Sequence, residues 1–289
     1  MEKEEFQAKI YSKIDELPTL PAVLPKLLSL IENEKSSAAH VAEVISHDSA
    51  MTAKIIKVAN SAYYGFSQEI SSLEKAVPLL GFNMVRSLAL SIGVIESLPS
   101  GEDSTLFSRE GLWVHSLAVA TAMQELRKRF EKEDSNEHHF VVGLLHDIGK
   151  LVLDQFFTTL FQQALEEAHS HEKIELYVAE RSIIGFDHGE IGGMVLTRWK
   201  FPDLISTSIA VHHQTDFPEG KIAKDIAMLR IADALPQGIG LGRSGNPIPP
   251  EIHENDLKIL GISEEELADM REYLDSAKSG IHALLSAMT

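Results

Sequence analysis

The sequence predicts an all-α protein, with an N-terminal helical bundle over residues 1–100 packed on a C-terminal helical domain over 101–289. Three observations carry that reading. Apolar residues recur three and four positions apart in nearly every segment, the spacing of one helix face. Start and stop signals, Ser or Asp before and Gly after, bound many of those segments. No stretch reads convincingly as a strand, and there is no internal repeat or low-complexity tract.

The elements follow in order. Residues 7–17 make a short opening helix that Leu17-Pro-Thr-Leu-Pro21 interrupts. From Ala22 onward, Leu24, Leu27, Leu28 and Ile31 mark the next apolar face. Ser36 or Ser37 is placed to cap a helix through Val41, Val44 and Ile45, and Asp48 to cap one whose apolar face is Met51, Ile55, Ile56 and Val58. Asn60-Ser-Ala-Tyr-Tyr-Gly65 ends that helix. Ser72 opens 73–80, Gly81 stops it, and 84–95 is strongly apolar. The stretch 98–104, polar with Pro and Gly, is the predicted linker. Further helices are expected at 109–130, 139–157, 158–169, 174–184, 188–199, 203–213 and 222–235, with Asp203 as a cap. The charged segment 131–137 and the Gly/Pro-rich 236–250 read as loops. A capping box at Ser263 opens the last helix, which ends near Met288.

Composition bounds the chemistry. A hydrophobic fraction of 44% and a charged fraction of 24% are those of an ordinary globular protein with a real core. There is no cysteine, so disulfides, thiolate metal sites and cysteine nucleophiles are excluded. Any transition metal must be held by His, Asp or Glu, which favours iron, manganese, nickel or zinc. The formal net charge of −17 argues against non-specific nucleic-acid binding, which needs clustered cations. No apolar run reaches spanning length and the start is not a signal peptide, so a cytoplasmic protein without a membrane partner is expected.

Thirteen histidines is a high count for 289 residues. His40, His47, His138, His139, His169, His171, His253 and His282 lie in polar or terminal settings and read as surface residues. His47-Asp48 is a decoy, because its Asp opens a helix and no apolar run leads into it. The rest are different. His146 and Asp147 sit in the apolar run Val141-Val-Gly-Leu-Leu-His-Asp-Ile-Gly-Lys150, where a buried carboxylate is costly without compensation. A cation wanting a carboxylate and a neutral imidazole would supply it; an Asp147–Lys150 pair is the plainer alternative. His115 lies mid-helix, and His188 begins a helix in which Gly189, Gly192 and Gly193 allow close backbone approach. His212 and His213 end an apolar helix, and Asp233 falls inside Ile231-Ala-Asp-Ala-Leu235. Any one of these is more often a hydrogen-bonded core residue than a ligand. Together they are hard to explain without a shared ion.

The order His, His-Asp, His, His-His, Asp resembles the HD-domain metal-dependent phosphohydrolase superfamily in its two-metal form, and Gly149-Lys150 resembles its HD-GYP phosphodiesterases. That resemblance implies that His115, His146 and Asp233 ligate one metal, that Asp147 bridges, and that His188, His212 and His213 ligate the other. Lys150 would face a phosphate oxygen, and the metal pair would polarise a phosphoryl group. Two departures stand out. His212-His213 is followed by Gln-Thr-Asp-Phe-Pro-Glu-Gly220 with no Gly-Tyr-Pro. Gly111 stands where some relatives carry a carboxylate for a third metal.

The front half narrows the family. Leu17-Pro-Thr-Leu-Pro-Ala-Val, Ile45-Ser-His-Asp, Ala59-Asn-Ser-Ala-Tyr-Tyr-Gly65 and Ile70-Ser-Ser-Leu-Glu-Lys-Ala76 with Leu80-Gly81 resemble HDOD proteins, HD-related output domains of bacterial signalling. The likeness runs from about Leu17 to Asp233, with Ser49 where Pro is usual. It implies a regulatory module with an HD-type C-terminal domain that binds two divalent metal ions, Fe or Mn favoured over Zn or Ni. Such a module would act through a signalling protein partner or a small phosphate-containing ligand. Many relatives have lost the His-Asp ligands, whereas this chain keeps the whole set. One alternative is an active phosphohydrolase on a nucleotide or cyclic dinucleotide, with Asp147 and Lys150 in the reaction. Another is a structural module whose histidines are satisfied by hydrogen bonds. Elsewhere, Tyr63 and Tyr64 are expected to staple a helix end into the core, Trp113 and Trp199 to fill it, and Arg86 to pack its stem while its head pairs with a carboxylate. Glu190 is either a partner of a metal histidine or a first-turn charge.

Overall fold

The computed structural model describes residues 3–31, 37–98, 101, 103–130, 138–170, 173–214 and 220–289. Among these residues the chain forms sixteen α-helices and no strand. The first half holds α1 (Lys3–Asp15), α2 (Val23–Ser29), α3 (Ala38–Ser46), α4 (Ser49–Ala59), α5 (Leu73–Leu80) and α6 (Phe82–Ser97). Then come α7 (Arg109–Phe130), α8 (His139–Leu145), α9 (Ile148–Phe156), α10 (Thr158–Ala168) and α11 (Leu176–Ile183). The chain closes with α12 (His188–Arg198), α13 (Asp203–Ala210), α14 (Lys221–Gly238), α15 (Glu254–Leu260) and α16 (Glu264–Met288). Ser36, His171, the segment 131–137 and most of the loop after His213 lie outside the described residues, as does part of the predicted linker.

Local chemistry accounts for the ends of many of these helices. Ser37 accepts from the His40 amide and Asp48 from the Met51 amide, each meeting one donor that the first turn leaves open. Gly81, at φ 86°, separates α5 from α6 in a conformation few other residues adopt. Ser263 and Glu266 form a reciprocal capping box on α16. The cap of α13 is Pro202 rather than Asp203, which lies in the first turn, where a carboxylate still favours the helix dipole.

Two apolar helices organise the core. On α6 nearly every residue from Met84 to Val94 is buried, and α2, α3, α4 and α5 pack around it. On α7 burial runs from Leu112 to Met123, against α8, α14 and α16. The termini tie the halves together. Lys54 and Lys57 of α4 donate to the Met288 and Ser286 carbonyls at 3.0 and 2.7 Å, where the C-terminus of α16 favours cations. The opening helix crosses to α12, with Arg198 donating to Asp15 at 2.8 Å and the Trp199 indole to the Pro18 carbonyl at 3.3 Å. Trp199 is buried, Trp113 packs partly buried on the core, and Arg86 donates to the Leu30 carbonyl. Tyr63 and Tyr64 pack on the core with their rings edge-to-face to each other. No single helix among the described residues is long and apolar enough to cross a membrane.

The continuous helix expected over 139–157 is two helices, α8 and α9, broken at His146-Asp147. Apolar periodicity runs through the break, so spacing alone does not reveal it. Asp147 leaves helical geometry at φ −95°, ψ 8°, and the chain resumes one residue later. Backbone-to-backbone contact fixes the second piece. A Cβ at Gly149 would lie 1.9 Å from the His188 carbonyl oxygen and 2.9 Å from the Gly192 amide nitrogen, so α9 and α12 cross with no room for a side chain. In a free helix Gly149→Ala would gain about 1 kcal/mol. Overpacking at this crossing costs about 1–3 kcal/mol. Gly149→Ala is therefore expected to be net destabilising in urea unfolding, and a more stable variant would show that the crossing is loose.

Candidate metal centre

Five elements deliver side chains to one buried point. His115 comes from the middle of α7, His146 and Asp147 from the α8–α9 break, and His188 from the first position of α12. His212 and His213 follow α13, and Asp233 lies on α14. None of these is more than 4% exposed except His213, which is half-buried. The structure thus brings all seven singled-out side chains together, with Lys150 beside them.

Asp147 is the hub. Its Oδ2 lies 2.7 Å from Lys150 Nζ, 3.4 Å from His146 Nε2 and 3.7 Å from His115 Nε2, and its Oδ1 lies 3.0 Å from His188 Nε2. Asp233 Oδ1 is 2.9 Å from His115 Nε2 and 3.4 Å from His146 Nε2. At the other end His213 Nε2 is 2.8 Å from His188 Nε2, and the His212 and His213 rings are 3.9 Å apart. His115, His146 and Asp147 form one group whose ligand-type atoms lie within 4.8 Å of each other, and His188, His212 and His213 form another.

The ring nitrogens facing away from the cluster are pinned. His146 Nδ1 donates to the Gly143 carbonyl at 2.8 Å and His212 Nδ1 to the Ile209 carbonyl at 2.6 Å. His188 Nδ1 donates to Glu180 Oε2 at 2.6 Å, and the His188 backbone amide donates to the same oxygen. A carbonyl cannot donate, so in a neutral ring each proton sits on Nδ1 and the Nε2 lone pair faces inward. Nε2 of His146 and of His212 is buried with no hydrogen-bond partner. That is the donor pattern of a metal site, with the outer ring nitrogen held by an acceptor and the inner one free.

Electrostatics point the same way. Burial works against ionising Asp147, yet the His146, Lys150 and His188 charges hold its carboxyl well below the usual range. Asp233 is held low against burial by His115 and His146. Burial disfavours charge on His146 too, but Asp147 and Asp233 outweigh it and raise it to about 10. His188 rises to about 9, burial being overcome chiefly by Glu180 and Asp147. His212 falls to about 4 through burial and the neighbouring His188 and His146 charges. The two carboxylates thus demand positive charge, and protein groups alone meet that demand by crowding protons among adjacent imidazoles. A divalent cation would meet it with neutral rings.

Little open space adjoins the cluster. A cavity of about 90 Å³ touches His212, His213 and Asp233 from one side, and another of about 90 Å³ touches His115 from the other. Gly111, one turn before His115, is covered by a loop. Its carbonyl accepts from the Arg243 amide at 2.9 Å, and a Cβ there would lie 2.8 Å from Arg243 Cβ. A side chain at position 111 has no room.

One reading needs correction. His138 and His139 are not on the surface: they are 4% and 1% exposed, because both turn inward onto Asp225. Of the two readings of Glu190, the first-turn charge is the one found: with Asp187 it forms the reciprocal capping box that starts α12 and so fixes His188. Glu180 escaped the sequence reading. The available signal was its place on the buried face of α11, four residues after Leu176 and three before Ile183.

An all-helical core closing over a His/Asp cluster of this order defines an HD-type protein. The chain belongs to the HDOD family, whose domain model matches residues 17–215. Asp233 lies beyond the matched stretch. An HDOD domain protein of Geobacter sulfurreducens superposes with a TM-score of 0.78 at 25% identity, covering 98% of this chain and 99% of that one. A Shewanella amazonensis protein provisionally named a phosphohydrolase gives 0.74 at 25% identity, covering 97% and 98%. An uncharacterised Treponema pallidum protein is 26% identical over 206 residues, which is 71% of this chain and 39% of the relative. The chain therefore spans about two fifths of that relative's length.

Glu180→Gln keeps the size of the Glu180 side chain and weakens its hold on His188 Nδ1. It should lower divalent-metal affinity about 10–100-fold with an unchanged circular dichroism spectrum. Unchanged affinity would mean that His188 is not a ligand.

Proposed function

We propose that this chain is a regulatory HDOD module holding a dinuclear divalent metal centre. His115, His146 and Asp233 would hold one ion, His188, His212 and His213 the other, and Asp147 would bridge. Fe or Mn fits this nitrogen and oxygen donor set best, and Zn or Ni fits next. The single observation that carries the reading is the convergence of pinned imidazoles on two buried carboxylates, with the inner Nε2 of His146 and of His212 left without a hydrogen-bond partner. Regulation is favoured over turnover by enclosure. Cavities of about 90 Å³ hold a few waters, not a nucleotide. A phosphate-containing ligand has room elsewhere, in a cavity of about 550 Å³ bordered by Tyr63, Tyr64, Gln124, Arg127 and Lys128. A signalling protein is the other partner class. Contact on the first half can reach the cluster, because α6 packs on α8, which leads into His146, and α1 packs on α12, which begins at His188.

Protein purified without chelator should carry at least two ions per chain, and the His146→Ala, Asp147→Ala variant should carry two fewer. Chelation should lower the thermal midpoint, since ions bound only to the folded state at a hundredfold above Kd contribute about 2.7 kcal/mol. Trace metal throughout, with a midpoint indifferent to chelator, would defeat the proposal.

The phosphohydrolase reading is favoured by the Shewanella relative's name. A bound metal pair would supply Lewis acidity toward a phosphoryl oxygen. Lys150 would hold that oxygen's charge, and Asp147 would keep the pair in place. Turnover of a phosphodiester panel with added Fe(II) or Mn(II), abolished by Asp147→Ala, would establish it in place of the purely regulatory reading.

A further inference from the structure

The helices that build the metal centre carry a second set of the same residue types two turns away. His139 precedes His146 by seven residues at the start of α8, and Asp225 precedes Asp233 by eight on α14. Seven or eight residues is close to two whole turns, so each pair shares a helix face, about 10–12 Å apart along the axis. The facing surfaces of α8 and α14, which pack on each other, therefore bear ligand-type side chains at two levels. His138 joins the outer level.

The outer level is assembled and buried. His138, His139 and Asp225 are 4%, 1% and 0% exposed. Asp225 Oδ2 lies 3.1 Å from His138 Nε2, and Oδ1 lies 3.0 Å from His139 Nε2. The two rings stack at 4.4 Å with 23° between their planes, and the ligand-type atoms of all three residues lie within 4.8 Å of one another. Ligand atoms about 2.0–2.1 Å from one tetrahedral ion are roughly 3.3 Å apart, so small movements would open this cluster to admit one. Among the described residues, the groups bonded to the Asp225 carboxylate are these two imidazoles. Hydrogen bonds do not complete the set either, because His138 Nδ1 is buried with no partner.

We propose that His138, His139 and Asp225 form a second, separate site for one borderline divalent cation of the Zn²⁺ or Co²⁺ type. Two imidazoles and one carboxylate are a complete protein donor set for such an ion, with a fourth position left to water. The distance along α8 and α14 keeps this ion apart from the Asp147 cluster. His139 also lines the 550 Å³ cavity beside Tyr63 and Arg127. An ion here would sit behind that wall and hold the start of α8 against α14.

The test counts Co²⁺ bound to the full chain after gel filtration. The His146→Ala, Asp147→Ala variant should retain one ion per chain, and Asp225→Asn or His138→Gln should each bind one ion fewer than wild type. Retention of no ion by the first variant, or an unchanged count in the folded second pair, overturns the proposal. If Asp225→Asn and His138→Gln fail to fold, the wild type decides. An anomalous difference peak among the three side chains in crystals grown with Zn²⁺ supports the site, and its absence overturns it. Since the two clusters share no residue, loss of one leaves the other's count intact.

Discussion

Asp147 carries a charge in a place where water cannot reach it, and the fold around it is a set of answers to that constraint. An unpaired buried carboxylate costs several kcal/mol, more than most single contacts return. The break between α8 and α9 lets the carboxylate project from a joint instead of a helix wall. Lys150, three residues on, sits on the same face at 2.7 Å. His115, His146 and His188 arrive from three directions, and each is positioned by a helix whose other face belongs to the core. The site is rigid because the core is rigid, so its geometry is set before any ligand arrives.

A second tier of groups decides how the imidazoles behave. The Gly143 and Ile209 carbonyls are ends of backbone that the helices leave unpaired, and each is spent on a ring Nδ1. Glu180 does the same for His188 with a full charge. Glycines make the approach possible. With side chains at Gly149 and Gly189, α9 could not touch α12 and the His212 ring would have no space. Site and scaffold are therefore one design: a substitution that loosens α9 against α12 moves His188 as directly as a change in Glu180 would.

Much of this could be read from the chain. The seven ligand-type residues stand out because each interrupts an apolar helical face, and their order along the sequence matches a known arrangement. The helix break at His146-Asp147 could not be read, since Leu144, Leu145, Ile148 and Leu151 continue the helical apolar pattern across it. His138 and His139 read as surface residues because Asp134-Ser-Asn-Glu137 precedes them. Their partner Asp225 lies 86 or 87 positions away, beyond the reach of local pattern. Glu180 was missed for a related reason: a lone acid on a short amphipathic helix looks solvated until the residue opposite it is known. Local signals thus gave the side-chain caps Ser37, Asp48 and Ser263, while the pairing of buried charges is a property of the tertiary fold.

The same geometry bears on what the module does. Lys150 is 1% exposed, and the two flanking cavities are of about 90 Å³ each. The contacts that do reach outward are mechanical. One end of α12 holds His188, and α1 with Trp199 packs on the same helix; α8 carries His146, and α6 lies on its flank. A partner that shifts α1 or α6 changes the positions of two ligand-type residues held by opposite ends of Asp147. Close-packed interfaces respond to such shifts by switching between discrete arrangements, not by bending smoothly. A charged hub whose ligand-type residues are borne on helices that the first half grips therefore couples the packing of α1 and α6 to the geometry around Asp147.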